Sequence, residues 1–362
     1  MPGKVLNYFA EGNTAKGFYS LYESNLQGLD RIYILKGGPG LGKSSLMKNI
    51  AREWREKGYD IEVLHCSRDN DSIDGIIIPK LKVAVVNGNE PNTIEVKLPG
   101  IIEKYIDMGE ALDAELLKEH KNDMMELKIK IEEAYRLASS KFQNALKIHD
   151  EWEKIYIANM DFSKANAVTE ELVERFFDGK GFEKRAVIKH RFFGAATPKG
   201  AVDYIPSITE DLDKRYFIKG RPGTGKSSML KKLAAAAEER GIDVEVYHCG
   251  FDPDSIDMLL FRELDFAIFD STSPHEYYPG RESDEVIDMY ELSVTPGTDE
   301  KYEAELKDII KRYKKRVREG TAALAEGQTI NEKLEEFYGS TVDFGKVDAI
   351  KERISKSIAD MV

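Results

Sequence analysis

The sequence predicts an α/β protein in which one unit is written twice, each copy a parallel sheet in three α/β/α layers with a long helical extension. Three observations predict it. The segment KGGPGLGKSS at Lys36–Ser45 returns as KGRPGTGKSS at Lys219–Ser228, an offset of 183 residues, and both copies match GxxxxGK[ST]. Short β-rich runs alternate with an amphipathic helical pattern around each loop. Beyond them, Met124, Ile131, Ala138, Ala145 and Trp152 recur every seven residues in a stretch free of Gly and Pro.

Each loop sits where its chemistry requires, between a strand and a helix, so that bound phosphates meet backbone N–H groups and the positive end of the helix dipole. Ile32–Leu35 and Tyr216–Ile218 are the strands. Leu46, Met47, Ile50, Ala51 and Trp54 form the apolar stripe of the first helix, and Met229, Leu230, Leu233, Ala234 and Ala237 that of the second. Two P-loop NTPase domains in tandem are therefore expected. Their nucleotide-binding residues are Gly37, Gly38, Pro39, Gly40, Leu41, Gly42, Lys43, Ser44 and Ser45, and Gly220, Arg221, Pro222, Gly223, Thr224, Gly225, Lys226, Ser227 and Ser228. Glycines keep the wrap open, Lys43 and Lys226 reach the β and γ phosphates, and Ser44 and Ser227 offer hydroxyls to Mg²⁺. ATP or another NTP and Mg²⁺ are the expected ligands.

Further strands follow at Ile61–Leu64 and Leu81–Val86, matched by Val244–Tyr247 and Leu264–Phe269, and the alternation implies parallel strands joined by crossovers. The repeat extends to His65-Cys66 against His248-Cys249 and to Asp69, Asp71 and Asp74 against Asp252, Asp254 and Asp257. These acids either serve the site or, with Ser72 and Ser255, cap a short following helix. The first unit spans 1–180 with its extension over about 110–175, and the second spans 183–362 with its extension over about 299–360. In the second extension Gly320 and Gly327 replace large seam residues, where they admit a close helix neighbour or mark breaks. Packing of the two extensions on one another would make an intramolecular pseudo-dimer.

The balance of 53 basic against 65 acidic residues, net −12, argues against general affinity for nucleic acid. The basic run from Lys311 to Arg318 reads as a solvated helix face. No apolar stretch reaches spanning length and no secretory signal is legible, so a cytoplasmic protein without a membrane partner is expected, its two cysteines free thiols.

The copies differ where an NTPase needs an acid to hold Mg²⁺ at the end of the third strand. The second supplies Asp270; the first has Asn87. Five residues on, His275 faces Asn92, and only the histidine can orient water by exchanging a proton. Lys43, Lys226, Asp270 and His275 are the candidate catalytic residues, and Ser44, Ser227 and Asp270 the candidate metal ligands. The second site is expected to be the competent one. Arg68, Arg185 and Arg191 are positional candidates for an arginine finger.

With both loops, the two HC(S/G)xDxDSID segments and the DSTSPH segment, the chain resembles a family of tandem P-loop ATPase-like proteins of anaerobic bacteria and archaea along nearly all its length. Asp270, Thr272, Pro274 and His275 reproduce that family's D-G-T-A-P-H-like segment, whereas Asn87, Gly88 and Pro91 keep part of it. The resemblance implies ATP binding on a doubled NTPase fold. A Mg²⁺-dependent ATPase leads; a small-molecule or nucleotide kinase, and a nucleotide-sensing scaffold that recruits a protein through its long helices, are the alternatives. Ser271 after Asp270 departs from the glutamate that many hydrolytic motors place there.

Overall fold

The computed structural model describes residues 1–362. In the first half, β1 (Val5–Tyr8), the hairpin β2 (Glu11–Thr14) and β3 (Gly17–Ser20), and the single turn α1 (Tyr22–Asn25) precede β4 (Arg31–Lys36). The first glycine-rich loop joins β4 to α2 (Lys43–Glu56), followed by β5 (Ile61–His65), β6 (Ile73–Ile78), β7 (Val83–Asn87) and β8 (Glu103–Asp107). The turn α3 (Ala114–Leu117) leads into α4 (Lys121–Ile157) and α5 (Phe162–Phe177).

The second half repeats this order. It runs through β9 (Ile188–Phe192), β10 (Gly194–Thr197), β11 (Gly200–Asp203), α6 (Ile205–Ile208), β12 (Lys214–Lys219) and α7 (Lys226–Glu238). Then come β13 (Val244–His248), β14 (Ile256–Phe261), β15 (Phe266–Asp270), β16 (Glu285–Asp288), α8 (Met289–Ser293) and α9 (Thr298–Lys301). α10 (Glu303–Gly339) and α11 (Phe344–Ala359) close the chain. No helix is long and apolar enough to cross a membrane.

Two six-stranded sheets result, ordered β1-β5-β6-β7-β4-β8 and β9-β13-β14-β15-β12-β16. They are mostly parallel, as expected, with one correction: β6 and β14 run antiparallel to both neighbours. The links from β5 to β6 and from β6 to β7 are too short for a parallel crossover, which takes a dozen or more residues, so the chain must turn back. The acids after β5 and β13 therefore open a strand. They do not cap a helix.

The layering also differs from the expected independent α/β/α sandwiches. The outer face of the first sheet, with Tyr33, Ile76 and Val85, packs on α2 and on α11, through Val347, Ile350, Ile354 and Ile358. Its inner face shares one core with the inner face of the second sheet, where Ile34, Ala84 and Val86 join Phe217, Met258 and Phe269 around α1 and α6. On the far side α5 contributes Ala165, Leu172, Phe176 and Phe177 to the core built on α7. Each half as divided at 180/183 thus lends its last helix to the other. Asp161 and Asp343 make this crossing rigid: each caps the following helix, and their N–H groups donate to Ser293 C=O (2.7 Å) and Ala111 C=O (2.8 Å) of the opposite half.

α4 and α10 are unbroken and pack antiparallel. The ring of Phe142 lies where a Cβ on Gly320 would stand, 2.4 Å from its nearest atom, and Tyr135 and Ala134 pack on Gly327, so both glycines admit a neighbour. Lys141, the exception in the seam, pairs with Glu319 at 3.2 Å. The basic run of α10 is a solvated face with ion pairs such as Arg312–Glu151, 2.7 Å.

Candidate functional site

Both glycine-rich loops leave the strand next to a sheet edge, β4 or β12, and enter a helix through a left-handed backbone position that only glycine adopts without strain, Gly42 (φ 75°) and Gly225 (φ 83°). Gly40 and Gly223 carry a second constraint. A Cβ on Gly40 would stand 2.8 Å from the carbonyl oxygen of Glu335, and one on Gly223 would stand 2.7 Å from that of Glu153. Glu335 lies on α10 and Glu153 on α4, so each loop is roofed by the long helix of the other half. Gly38 leaves room for the ring of Tyr338; its counterpart Arg221 instead pairs with Asp299 at 2.9 Å.

Inside the loops the lysines turn onto main-chain carbonyls. Lys43 Nζ donates to Gly37 C=O (3.1 Å) and Gly38 C=O (2.5 Å), and Lys226 Nζ to Arg221 C=O (2.9 Å). Burial pulls Lys43 down to about 8, against the pull of Asp74 and Glu335. Ser44 and Ser227 accept from the N–H of Ile73 (3.0 Å) and Ile256 (2.9 Å), at the start of β6 and β14. Leu41 is buried in the core, Thr224 closes its loop by donating to Arg221 C=O (2.8 Å), Ser45 and Ser228 are exposed, and Gly37, Pro39, Gly220 and Pro222 complete the backbone of the turns.

The strands opposite bring the acids to the lysines. Lys226 lies 3.5 Å from Asp270 Oδ2, while Thr272 orients the other oxygen through its N–H (3.0 Å) and hydroxyl (2.7 Å). Asp257, one residue into β14 and partly buried, is pushed up to about 7 by burial and then by the charge of Asp270. In the first half Asn87 replaces Asp270, and its Nδ2 donates to Asp74 Oδ1 at 2.9 Å. An amide clamp follows. Asn89 accepts from Gly37 N–H (3.1 Å) and donates to Gly37 C=O, and the second half has Thr272 at this position.

His275 belongs to the second site. Its Nδ1 bonds Asp203 Oδ2 at 2.7 Å, and its ring meets the edge of Phe193. Burial raises Asp203, but the hydrogen bonds from His275 and Tyr277 outweigh it and hold the carboxyl below its ordinary range. Gly194 makes this possible: its absent Cβ would lie 3.1 Å from His275 Cε1. The first half has Glu11 there, pushed up to about 7 by burial and by Asp74, and bonded to Ser67 N–H and Oγ.

Lys226, Asp257, Asp270 and His275 line one cavity of about 990 Å³, together with His149 and Glu153 from α4. The structure thus brings together the second-half residues that the sequence singles out and adds two from the first half. No local pattern ties α4 to a loop so far along the chain; the only trace is glycine at position 223, whose close approach needs the fold to be seen. The arginine candidates fare differently. Arg191 is buried between Glu62 and Glu245 at 2.9 Å each, Arg68 stacks on Tyr135, Arg185 is exposed, and none lines this cavity. Cys66 and Cys249 are free, their thiols pushed up by burial. Comparison with protein-family models, curated proteins and solved structures finds no match.

Proposed function

We propose that the chain is a Mg²⁺-dependent NTP-binding protein that hydrolyses ATP at two P-loop sites, the second faster than the first, as a member of the tandem P-loop ATPase-like proteins that its motifs resemble. The observation that carries this is the coincidence, twice in one chain, of a strand–glycine loop–helix turn, a lysine folded onto the loop carbonyls, and a serine bonded to the start of the strand that carries an acid, Asp74 in one copy and Asp257 in the other. In the second copy the Ser227 hydroxyl and the carboxylates of Asp257 and Asp270 form a set of hard oxygen donors suited to Mg²⁺. Burial and the charge of Asp270 raise Asp257, and a divalent cation beside the pair would favour the ionised form of both carboxylates. Bound Mg²⁺ supplies charge neutralisation at the β and γ phosphate oxygens.

The chain's own residues do the rest. Loop N–H groups bind the phosphates, Lys226 leaves the Arg221 carbonyl to meet developing negative charge, and α4 excludes water from above. His275, fixed by Asp203, presents its ring toward the same cavity. In the first copy Asn87 contributes no charge and Asn89 occupies the Gly37 N–H, so that loop binds nucleotide more weakly and turns it over more slowly.

Separate Lys43→Ala and Lys226→Ala variants test the asymmetry by phosphate release. Lys226→Ala is expected to lose about 10²–10³-fold, the usual cost of removing one group that stabilises transition-state charge, and Lys43→Ala much less. Equal losses reject the asymmetry. ADP formation only when an acceptor is added assigns a kinase instead.

A further inference from the structure

Attack on a phosphoanhydride needs a group that orients water and takes its proton. Strand β15 ends at Asp270 and Ser271 follows, so no glutamate comes after the acid. The roof of the site supplies one. α4 lays His149, Asp150 and Glu153 over the second loop with their polar atoms within 4.8 Å of one another, and all three line the cavity that holds Lys226, Asp257 and Asp270. The main chain of Glu153 closes directly on Gly223, and its Oε1 lies 3.7 Å from His149 Nδ1.

Taking ATP hydrolysis at the second loop as given, we propose that Glu153, contributed by the opposite half, is the general base of that site. Its carboxylate takes a proton from water as the water oxygen bonds to the γ-phosphorus; the bond from that phosphorus to the β–γ bridging oxygen breaks, and ADP leaves with the electron pair. The titratable groups facing Glu153 are His149, which burial keeps toward its neutral form, and Asp150 on its own helix, and Lys226 and Asp252 across the interface. Burial, then Asp150, raises its carboxyl against Lys226, which makes it a better proton acceptor than an exposed glutamate. Glu335 holds the equivalent place over the first loop. There Asn331 Nδ2 donates to its Oε1 at 2.9 Å and occupies the oxygen. The second site has His149 in that position.

The test uses the full chain, with Glu153→Gln set against wild type and against Glu132→Gln, an exposed change on the same helix. Three quantities are read: Mg-ATP affinity by titration, single-turnover phosphate release as a function of pH, and the nucleotide retained after a fixed time, by mass. Glu153→Gln is expected to bind Mg-ATP within about threefold of wild type, release phosphate at least about 10²-fold more slowly, retain ATP and not ADP, and lose the acid limb of the pH profile. A wild-type rate and acid limb in Glu153→Gln overturn the assignment while leaving hydrolysis intact. Joint loss of affinity and rate with the acid limb unchanged makes Glu153 a packing residue and overturns it too. Wild-type protein that binds no Mg-ATP overturns the hydrolytic assignment itself.

Discussion

Between the two sheets the repeat breaks at one informative position: Tyr8 in the first half is Arg191 in the second, and the guanidinium lies over the Tyr8 ring at 4.2 Å. Arg191 bonds Glu245 of its own sheet and Glu62 across the interface, where Phe9 and Phe192 exchange backbone hydrogen bonds, 3.0 Å each way. Removing one member of a buried ionic cluster strands the others, so Arg191→Met should cost about 3–5 kcal/mol, read from urea midpoints; a loss below about 1 kcal/mol would contradict it. Burial raises Glu245, but Arg191 and Arg262 outweigh it and hold it at about 2. Its stabilising charge is present above the ordinary glutamate range and is lost as pH falls through about 2. Asp257 acts in the opposite sense. It stays protonated in the folded chain up to about 7, so ligand-free stability should fall as pH rises from the ordinary aspartate range through about 7. Asp270→Asn removes the neighbouring charge and should therefore raise the melting temperature of the ligand-free protein at pH 8 while weakening its stabilisation by Mg²⁺. A melting temperature that falls at pH 8 without Mg²⁺ would sink this account of the pair.

The elements tell which parts of the fold a sequence can express. The loops, the strands before them and the unbroken α4 were legible because their requirements are local: glycine where φ is positive, apolar residues at helical or strand spacing, no proline. The antiparallel β6 and β14 were not, since Ile73–Ile78 and Ile256–Phe261 carry no mark of direction and only the shortness of their links dictates it. Gly320 shows the same limit at one residue, because glycine in a helix fits both a break and a close contact, and Phe142 of another helix decides. Gly320→Ala should destabilise by about 1–3 kcal/mol through overpacking, despite alanine's better helix propensity. Gly339→Ala meets nothing within 4 Å and should be neutral or stabilising. Chemical denaturation of the pair checks the contrast; equal effects would mean that the Phe142 contact is soft.

At the scale of the whole molecule, each half gives its last helix to the other's core and its long helix to the other's loop. The exchange, through α5, α11, α4 and α10, was invisible in the repeat, which fixes what each unit contains but not which copy it packs on. Because the exchanged helices bury side chains such as Phe176 and Ile354, cleavage within residues 178–187 should leave two fragments that co-migrate in gel filtration and separate only in denaturant. Free fragments in native buffer would contradict the exchange. It also means that neither proposed site is complete within one half, so events at one loop act directly on a helix anchored in the opposite sheet. The most direct test is calorimetric titration of the intact protein with ATP at saturating Mg²⁺. Two nucleotides per chain, falling to one in Lys226→Ala with the weaker site remaining, are predicted; no heat of association at millimolar ATP from folded protein would contradict the assignment of both loops.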